Sequence, residues 1–170
     1  LDRPDEQTLK DKRDAAILAV LSATGMRRAE VAALTLADYD ADNGQLRTVG
    51  KGDKERTVYV KKRHKQILDD WLEVRGGHEG AIFHPIAKGD KLNPERGITP
   101  QAVYNMLKYR TEKAGIAEFS PHDLRRTFVG DALDAGVDLV TVADIAGHAS
   151  TDTTRRYDRR DERRKEEAAG

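Results

Sequence analysis

The chain has 170 residues, and its 30 lysines and arginines balance 30 aspartates and glutamates, so the formal net charge is zero. This length suits a single domain with a hydrophobic core, and one domain is expected over residues 1–170. The absence of cysteine excludes disulfides, thiol catalysis and cysteine zinc sites, and makes the cytoplasm the expected compartment. No apolar run is long enough to span a bilayer, so no membrane partner is expected.

A neutral total counts against a nucleic-acid-binding protein, whose usual footprint is an excess of basic residues. The distribution of charge matters more than the sum. Basic residues crowd residues 47–65, whereas residues 128–154 carry five aspartates and neither lysine nor arginine. This asymmetry favours a molecule with one basic face, although ordinary solvated charges are the alternative for any single residue.

The first half of the sequence predicts helices followed by a small sheet. Apolar residues recur at helical spacing from Thr8 to Ala23, and a glycine follows where a helix would end. A second short helix is predicted over residues 28–34. Turn signals then flank two expected strands, at residues 45–49 and 55–60, so we expect an antiparallel sheet of about three strands.

The second half is predicted to be mostly helical. Helices are expected over residues 62–74, from Pro100 to Gly115, from Pro121 to about Ala135, over residues 138–146, and from Thr151 to about Ala168. Two of them begin with a capping residue followed by proline, at Thr99-Pro100 and Ser120-Pro121. Residues 87–97 are expected to form a polar loop. The predicted fold class is α+β, mainly α-helical, with a small three-stranded antiparallel sheet.

Several potential catalytic side chains lie at the ends of these elements. His122 and Arg125 are three residues apart near a helix N-terminus, which places them on one face where an anion is favoured. His148 follows a glycine, and Tyr157 lies on the last predicted helix. Alone, each has an ordinary structural explanation. Together with upstream cations they suit phosphoryl transfer to a tyrosine, because fixed cationic donors stabilise the anionic transition state.

The order of these segments resembles the catalytic domain of tyrosine recombinases, the phage integrase family. The matching segments are Ala23–Glu30, Gly50–Arg56, Ser120–Thr127, Gly147-His148 and Thr153–Tyr157. Met26 and Ala146 stand where the family usually has leucine. The resemblance covers nearly the whole chain, and the complete set is far more specific than any one segment.

The resemblance implies a role for each matching residue. Tyr157 is the nucleophile that forms a 3′-phosphotyrosyl link, and Lys51 is the general acid for the leaving 5′-oxygen. The remaining catalytic residues hold the phosphate or assist proton transfer, and they are Arg27, Arg125, His122 and His148. Glu30 supports Arg27. The residues expected to contact DNA are Lys54, Arg56 and Arg126.

The resemblance also implies partners and an activity. We expect a site-specific recombinase or integrase of a mobile element or prophage, which needs no metal, ATP or other small-molecule cofactor and assembles as a tetramer on DNA in its full-length form. The family's N-terminal core-binding domain has no counterpart here, so a catalytic domain from a longer protein is expected. The alternatives are relaxation of DNA like that of type IB topoisomerases, and a DNA-binding module without cleavage.

Overall fold

The computed structural model describes residues 8–50 and 52–169. Within them, the α-helices are α1 (Leu9–Thr24), α2 (Arg28–Ala33), α3 (Lys62–Arg75), α4 (Pro100–Ala114), α5 (Pro121–Asp134), α6 (Leu139–Ala146), α7 (Thr151–Arg155) and α8 (Arg160–Ala169). The strands are β1 (Tyr39–Asp40), β2 (Gln45–Val49), β3 (Glu55–Tyr59), β4 (Ile86–Ala87) and β5 (Lys91–Leu92). The sheet order is β1-β2-β3, and both pairings are antiparallel. The predicted fold class is therefore confirmed.

Local signals account for most helix ends. The Thr8 hydroxyl accepts the backbone N–H of Asp11 at 3.1 Å, and the Asp11 carboxylate accepts the Thr8 N–H at 3.2 Å, which forms a capping box. Ser120 and Asp123 repeat this reciprocal pair at the start of α5. Thr99 caps α4 ahead of a proline in the first turn. These caps match the predicted starts.

Two hydrophobic clusters form the core of the part of the chain that the structure describes. The larger one joins α1, α2, the three-stranded sheet, α3 and α4, and Trp71 lies fully buried within it with its indole N–H donating to the Ile82 carbonyl at 2.9 Å. The smaller cluster lies between α5 and α6, and its buried members are Val129, Leu133, Val142 and Ala146.

The segment expected to be a polar loop, residues 87–97, overlaps the short β4–β5 hairpin. Ile86 pairs with Leu92, and both side chains pack against the larger cluster. At the turn, the Asp90 carboxylate accepts the backbone N–H groups of Leu9 and Lys10 at 2.6 and 3.1 Å. The expectation of a loop was therefore wrong for residues 87 and 91–92 and right for the rest of the segment. The anchor that supports the hairpin joins residues 80 positions apart, so local sequence patterns did not indicate it.

The last predicted helix is interrupted. α7 ends at Arg155, and α8 begins at Arg160, whose backbone N–H donates to the Asp158 carboxylate at 3.0 Å. Asp158 therefore starts a new helix rather than continuing the old one, as an aspartate at a helix N-terminus often does. This corrects the expectation of one helix from Thr151 to Ala168. Tyr157 consequently lies on a turn between two helices, with its backbone N–H donating to the Thr154 carbonyl at 3.0 Å.

Among the described residues, no helix is both long enough and apolar enough to cross a membrane.

Candidate active site

Arg27 occupies the tight connection between α1 and α2. The chain turns at Gly25, which has φ 62°, and a Cβ there would come within 2.4 Å of the Phe128 ring, so only glycine fits without displacement. The Arg27 side chain is 39% exposed. One terminal nitrogen donates to Glu30 Oε1 and the other to the Gly147 carbonyl, both at 3.0 Å. The guanidinium is thus held at the surface with a fixed orientation.

Arg125 lies deeper in the site. It is 6% exposed, and its Nη1 donates to the Gly25 carbonyl at 2.7 Å. Its Nη2 is buried and has no hydrogen-bond partner within the described part of the chain. Burial, followed by the nearby Arg27 charge, lowers the pKa of Arg125 to about 10. A buried cation with an unused donor beside a second arginine is a favourable place for an anion.

His148 lies at the end of α6, on the turn begun by Gly147. Its Nδ1 is 2.7 Å from the Thr154 hydroxyl oxygen. Burial, followed by the charges of Arg125 and Arg27, lowers the pKa of His148 to about 4. The ring is therefore neutral at pH 7 and can accept a proton or share a hydrogen bond, but it is not a permanent cation.

Tyr157 lies near His148 and near two arginines of α5. Its ring packs against the smaller hydrophobic cluster, and its centroid is 6.4 Å from that of His148. The Arg126 guanidinium lies 5.7 Å from the centre of the Tyr157 ring, and Tyr157 interacts electrostatically with Arg125. The fold thus brings the predicted nucleophile close to Arg125, Arg126 and His148.

A cleft of about 310 Å³ opens over the arginines. Its lining residues come from α2, α4 and the start of α5, and they are Arg27, Arg28, Tyr104, Ser120, Pro121, His122 and Arg125. His122 is exposed at the rim. The cleft can admit a phosphate group with part of its sugar.

Glu30 links two arginines beneath the site. Burial raises the pKa of its carboxyl, but hydrogen bonds from Arg56 and from the backbone of Arg27 outweigh burial, so the pKa lies below its ordinary value. The carboxylate is therefore ionised across the physiological range. The expected contact with Arg27 is present, and Arg56 is a second partner that the sequence did not indicate.

Arg56 does not face outward as expected of a DNA-contacting residue. Its side chain is 10% exposed, and its guanidinium donates to both Glu30 oxygens and to the Ile145 carbonyl. All three groups of N–H donors are occupied inside the protein. This corrects the DNA-binding assignment, because a buried guanidinium with these partners is not free to meet a phosphate.

The other predicted DNA contacts have different surroundings. Lys54 is exposed at the β2–β3 hairpin, and Arg126 is exposed on α5 above Tyr157. Lys51 lies outside the described residues. Among the described residues next to it, the Gly50 N–H donates to the Lys54 carbonyl at 2.9 Å.

Three residues of the site were missed by sequence reasoning. Arg28 and Tyr104 line the cleft together, with the guanidinium 5.7 Å from the ring centre. Adjacency to Arg27 was a signal for Arg28, whereas nothing in the sequence joined Tyr104 to it. Thr154 is buried against His148, and its position within a run of threonines carried no indication of that contact.

Comparison with known proteins identifies the class. The model of the phage integrase family matches residues 2–164, and the chain therefore belongs to that family. The predicted recognition of a tyrosine recombinase catalytic domain is confirmed.

Named relatives agree with this assignment. Tyrosine recombinase XerC of Pelobacter propionicus is 34% identical over 161 residues, which cover 92% of this chain and 51% of the relative. Tyrosine recombinase XerD of Listeria innocua is 33% identical over 161 residues, covering 92% and 53%. The chain thus spans about half the length of the curated relatives it matches.

Solved recombinase structures share the fold. The XerA recombinase superposes with a TM-score of 0.75 at 29% identity, covering 86% of this chain and 51% of that one. The XerH site-specific recombinase, in a post-cleavage complex with its palindromic difH substrate, gives a TM-score of 0.74 at 29% identity and covers 98% and 47%.

Proposed function

We propose that the chain cleaves and rejoins double-stranded DNA as the catalytic domain of a site-specific recombinase, through a 3′-phosphotyrosyl intermediate. The observation that carries this proposal is the buried, unpartnered Nη2 of Arg125 beside Arg27 and Tyr157. A buried cationic donor without a partner lowers the stability of the fold, so its presence here points to a functional role. A scissile phosphate would supply the missing acceptor, and Tyr157 would lie beside it.

The two arginines bind the non-bridging oxygens of the phosphate. Arg27 is oriented by Glu30 and the Gly147 carbonyl, and Arg125 by the Gly25 carbonyl, so both donors are in place before DNA arrives. Charge accumulates on these oxygens as the phosphorus becomes five-coordinate. Donors that need no reorganisation at that moment stabilise the transition state more than the ground state.

The covalent step exchanges one phosphoester for another. The bond from Tyr157 Oη to phosphorus forms, and the bond from phosphorus to the 5′-oxygen breaks. The tyrosine proton passes to His148, whose basicity rises when an anionic phosphate offsets the arginine charges that lower its pKa. His122 assists at the phosphate, and the 5′-oxygen gains a proton from Lys51. Attack by a 5′-hydroxyl reverses the sequence and releases the tyrosine. The energy of the phosphodiester is conserved, so we propose that neither ATP nor a metal ion is consumed.

The family also suggests how the full-length protein assembles on DNA and where it acts. XerH binds a palindromic site, and a palindrome presents two equal half-sites. We propose that the full-length form of this protein places two copies on each site and joins two sites as a tetramer. The proposed setting is the cytoplasm, on a mobile element or prophage.

Covalent capture tests the proposal. Duplexes with a nick beside a randomised segment are incubated with the wild-type chain or Tyr157→Phe, denatured, and the protein-linked DNA is sequenced. Loss of the short oligonucleotide at the nick prevents rejoining, so adducts accumulate. Tyr157→Phe keeps the packed ring and lacks the nucleophile. We expect adducts with the wild type alone, enriched in one sequence.

Other outcomes separate the alternatives. Adducts without sequence enrichment, accompanied by relaxation of supercoiled plasmid, indicate a topoisomerase-like activity. Binding of duplex without any adduct indicates a DNA-binding module and contradicts the proposed cleavage.

The role of Lys51 is tested separately with the enriched duplex. A sulfur atom in place of the bridging 5′-oxygen is a leaving group that needs no proton. If Lys51 is the general acid, Lys51→Ala should cleave this substrate nearly as fast as the wild type. Failure of the rescue would mean that Lys51 serves only to position DNA.

A further inference from the structure

Arg56 is the most completely bonded cation near the site. Its side chain leaves β3 and passes beneath the site, where Nη1 and Nη2 donate to the two oxygens of Glu30 at 2.8 and 2.7 Å. Its Nε donates to the Ile145 carbonyl at 2.9 Å. A planar guanidinium donates to both carboxylate oxygens through two nitrogens while its Nε donates to a separate carbonyl, a geometry that the single nitrogen of an ammonium cannot reproduce.

These bonds close a ring that connects three elements. Arg56 on β3 holds Glu30 on α2, and Glu30 holds Arg27. Arg27 donates to the Gly147 carbonyl, and Gly147 lies two residues after Ile145, the second acceptor of Arg56. The ring therefore joins the arginine that lines the cleft to the turn that carries His148.

The surrounding backbone is shaped to the Arg56 side chain. A Cβ at Gly147 would lie 2.7 Å from Arg56 Nη1, and a Cβ at Gly50 would lie 3.3 Å from the same atom. Both turns thus approach the guanidinium closely enough that a larger residue would displace it. Arg56 is packed between the β2–β3 hairpin and the turn after α6.

We propose that Arg56 is a positioning residue for the cleavage reaction. It holds Arg27 through Glu30, and it holds the turn that carries His148 through the Ile145 carbonyl. Arg56 thereby fixes the position of these two groups relative to each other without touching DNA. The inference rests on the proposed function. Loss of Arg56 would leave the cleft cations present but misplaced, and a displacement of about 1 Å can lower a catalytic rate by about 100-fold.

The chain offers a matched control in Arg13. That arginine is 11% exposed, donates twice to the Asp14 carboxylate at 3.0 and 2.6 Å, and donates to the His84 carbonyl at 3.2 Å. Asp14 also binds Arg110, as Glu30 also binds Arg27. Arg13→Gln therefore removes a buried arginine with the same kinds of partner, at the far end of α1 from the cleft.

The experiment compares the wild type with Arg56→Gln, Arg56→Lys and Arg13→Gln on the duplex enriched by covalent capture. Thermal unfolding, equilibrium DNA affinity and the single-turnover adduct rate at saturating DNA are measured for each. We expect similar losses of stability in both glutamine variants. The adduct rate should fall by about 10–100-fold only when Arg56 is replaced, with DNA affinity unchanged.

Arg56→Lys separates positioning from phosphate contact. It retains the charge, which suffices for a phosphate, but its single nitrogen cannot reproduce the two-nitrogen fork on Glu30 together with the separate bond to Ile145. We expect the adduct rate of this variant to be reduced as well. If Arg56→Gln does not fold, Arg56→Lys tests the inference in its place. Combining Arg56→Gln with Glu30→Gln should lower the rate less than the product of the single effects, because the two residues act through one network.

Two results would overturn the inference. An adduct rate of Arg56→Gln equal to that of Arg13→Gln would leave Arg56 a purely structural residue. A lower DNA affinity with an unchanged saturated rate, restored by lysine, would make it a DNA contact. Absence of wild-type adduct is a different result, because it contradicts the proposed function itself.

Discussion

His148 and Thr154 are joined by a 2.7 Å hydrogen bond that ties the turn after α6 to α7, three residues before Tyr157. Thr154 is fully buried, so this bond is shielded from water. The contact fixes the orientation of the imidazole and the start of the turn that carries the nucleophile. One hydroxyl thus aligns the proposed proton acceptor with the proposed nucleophile.

Replacement of Thr154 by valine tests this alignment. Valine preserves the volume and removes the hydroxyl, which leaves His148 Nδ1 without its partner. We expect the adduct rate at saturating DNA to fall by about ten-fold or more, since the imidazole is no longer oriented. Thr154→Ser retains the hydroxyl and should lose much less. Equal rates in the two variants would mean that packing, rather than the hydrogen bond, is what matters at this position.

The lowered pKa of His148 predicts a pH dependence of stability. An unfolded histidine has a pKa of about 6.5, whereas burial and the nearby arginines lower the folded pKa of His148 to about 4. Between these values the unfolded chain binds more protons, so the free energy of unfolding falls as the pH is lowered. Urea unfolding from pH 7 to 4 should show a smaller loss in His148→Gln than in the wild type.

The comparison with His148→Gln isolates one histidine. Burial also lowers the pKa of His84, which adds a loss of the same sign, but this contribution is present in both proteins. Parallel stability curves for the two proteins would contradict the assignment of a neutral His148.

Arg125 should illustrate a conflict between stability and activity. Its buried guanidinium has one unpartnered nitrogen, so Arg125→Met should raise the free energy of unfolding of the DNA-free chain by about 1 kcal/mol. The same change should lower the adduct rate by about 10²–10³-fold, because a transition-state donor is lost. Chemical denaturation and covalent capture measure the two effects. A destabilised but active variant would contradict the assigned role.

DNA affinity should depend steeply on salt despite the zero net charge. If Lys54 contacts one phosphate, Lys54→Gln should make the negative slope of log binding constant against log salt concentration less steep by about 1. Lys10→Gln is a suitable control, because Lys10 lies over the Tyr109 ring near the start of α1, about 20 Å along the helix from its end beside Arg27. Equal slopes in wild type and Lys54→Gln would remove Lys54 from the interface.

Much of the fold could be predicted because its signals are local. The caps at Thr99 and Ser120 and the stop at Gly25 depend on residues within one turn, so the sequence alone located α4, α5 and the end of α1. β2 was predicted with its observed bounds, since alternating burial and flanking turns are also short-range features. The β4–β5 hairpin was not, because its stability comes from Asp90 reaching the start of α1.

The sequence by itself also determined the family, because the motifs follow one another in a fixed order with His122 and Arg125 three apart. The tertiary structure alone decided what surrounds them. Arg56 meets a carbonyl 89 residues away and is thereby drawn inside, and the neutrality of His148 depends on burial and on arginines from other elements. Local spacing places side chains on a helix face, whereas their charge state and partners depend on contacts between distant segments, which only folding creates.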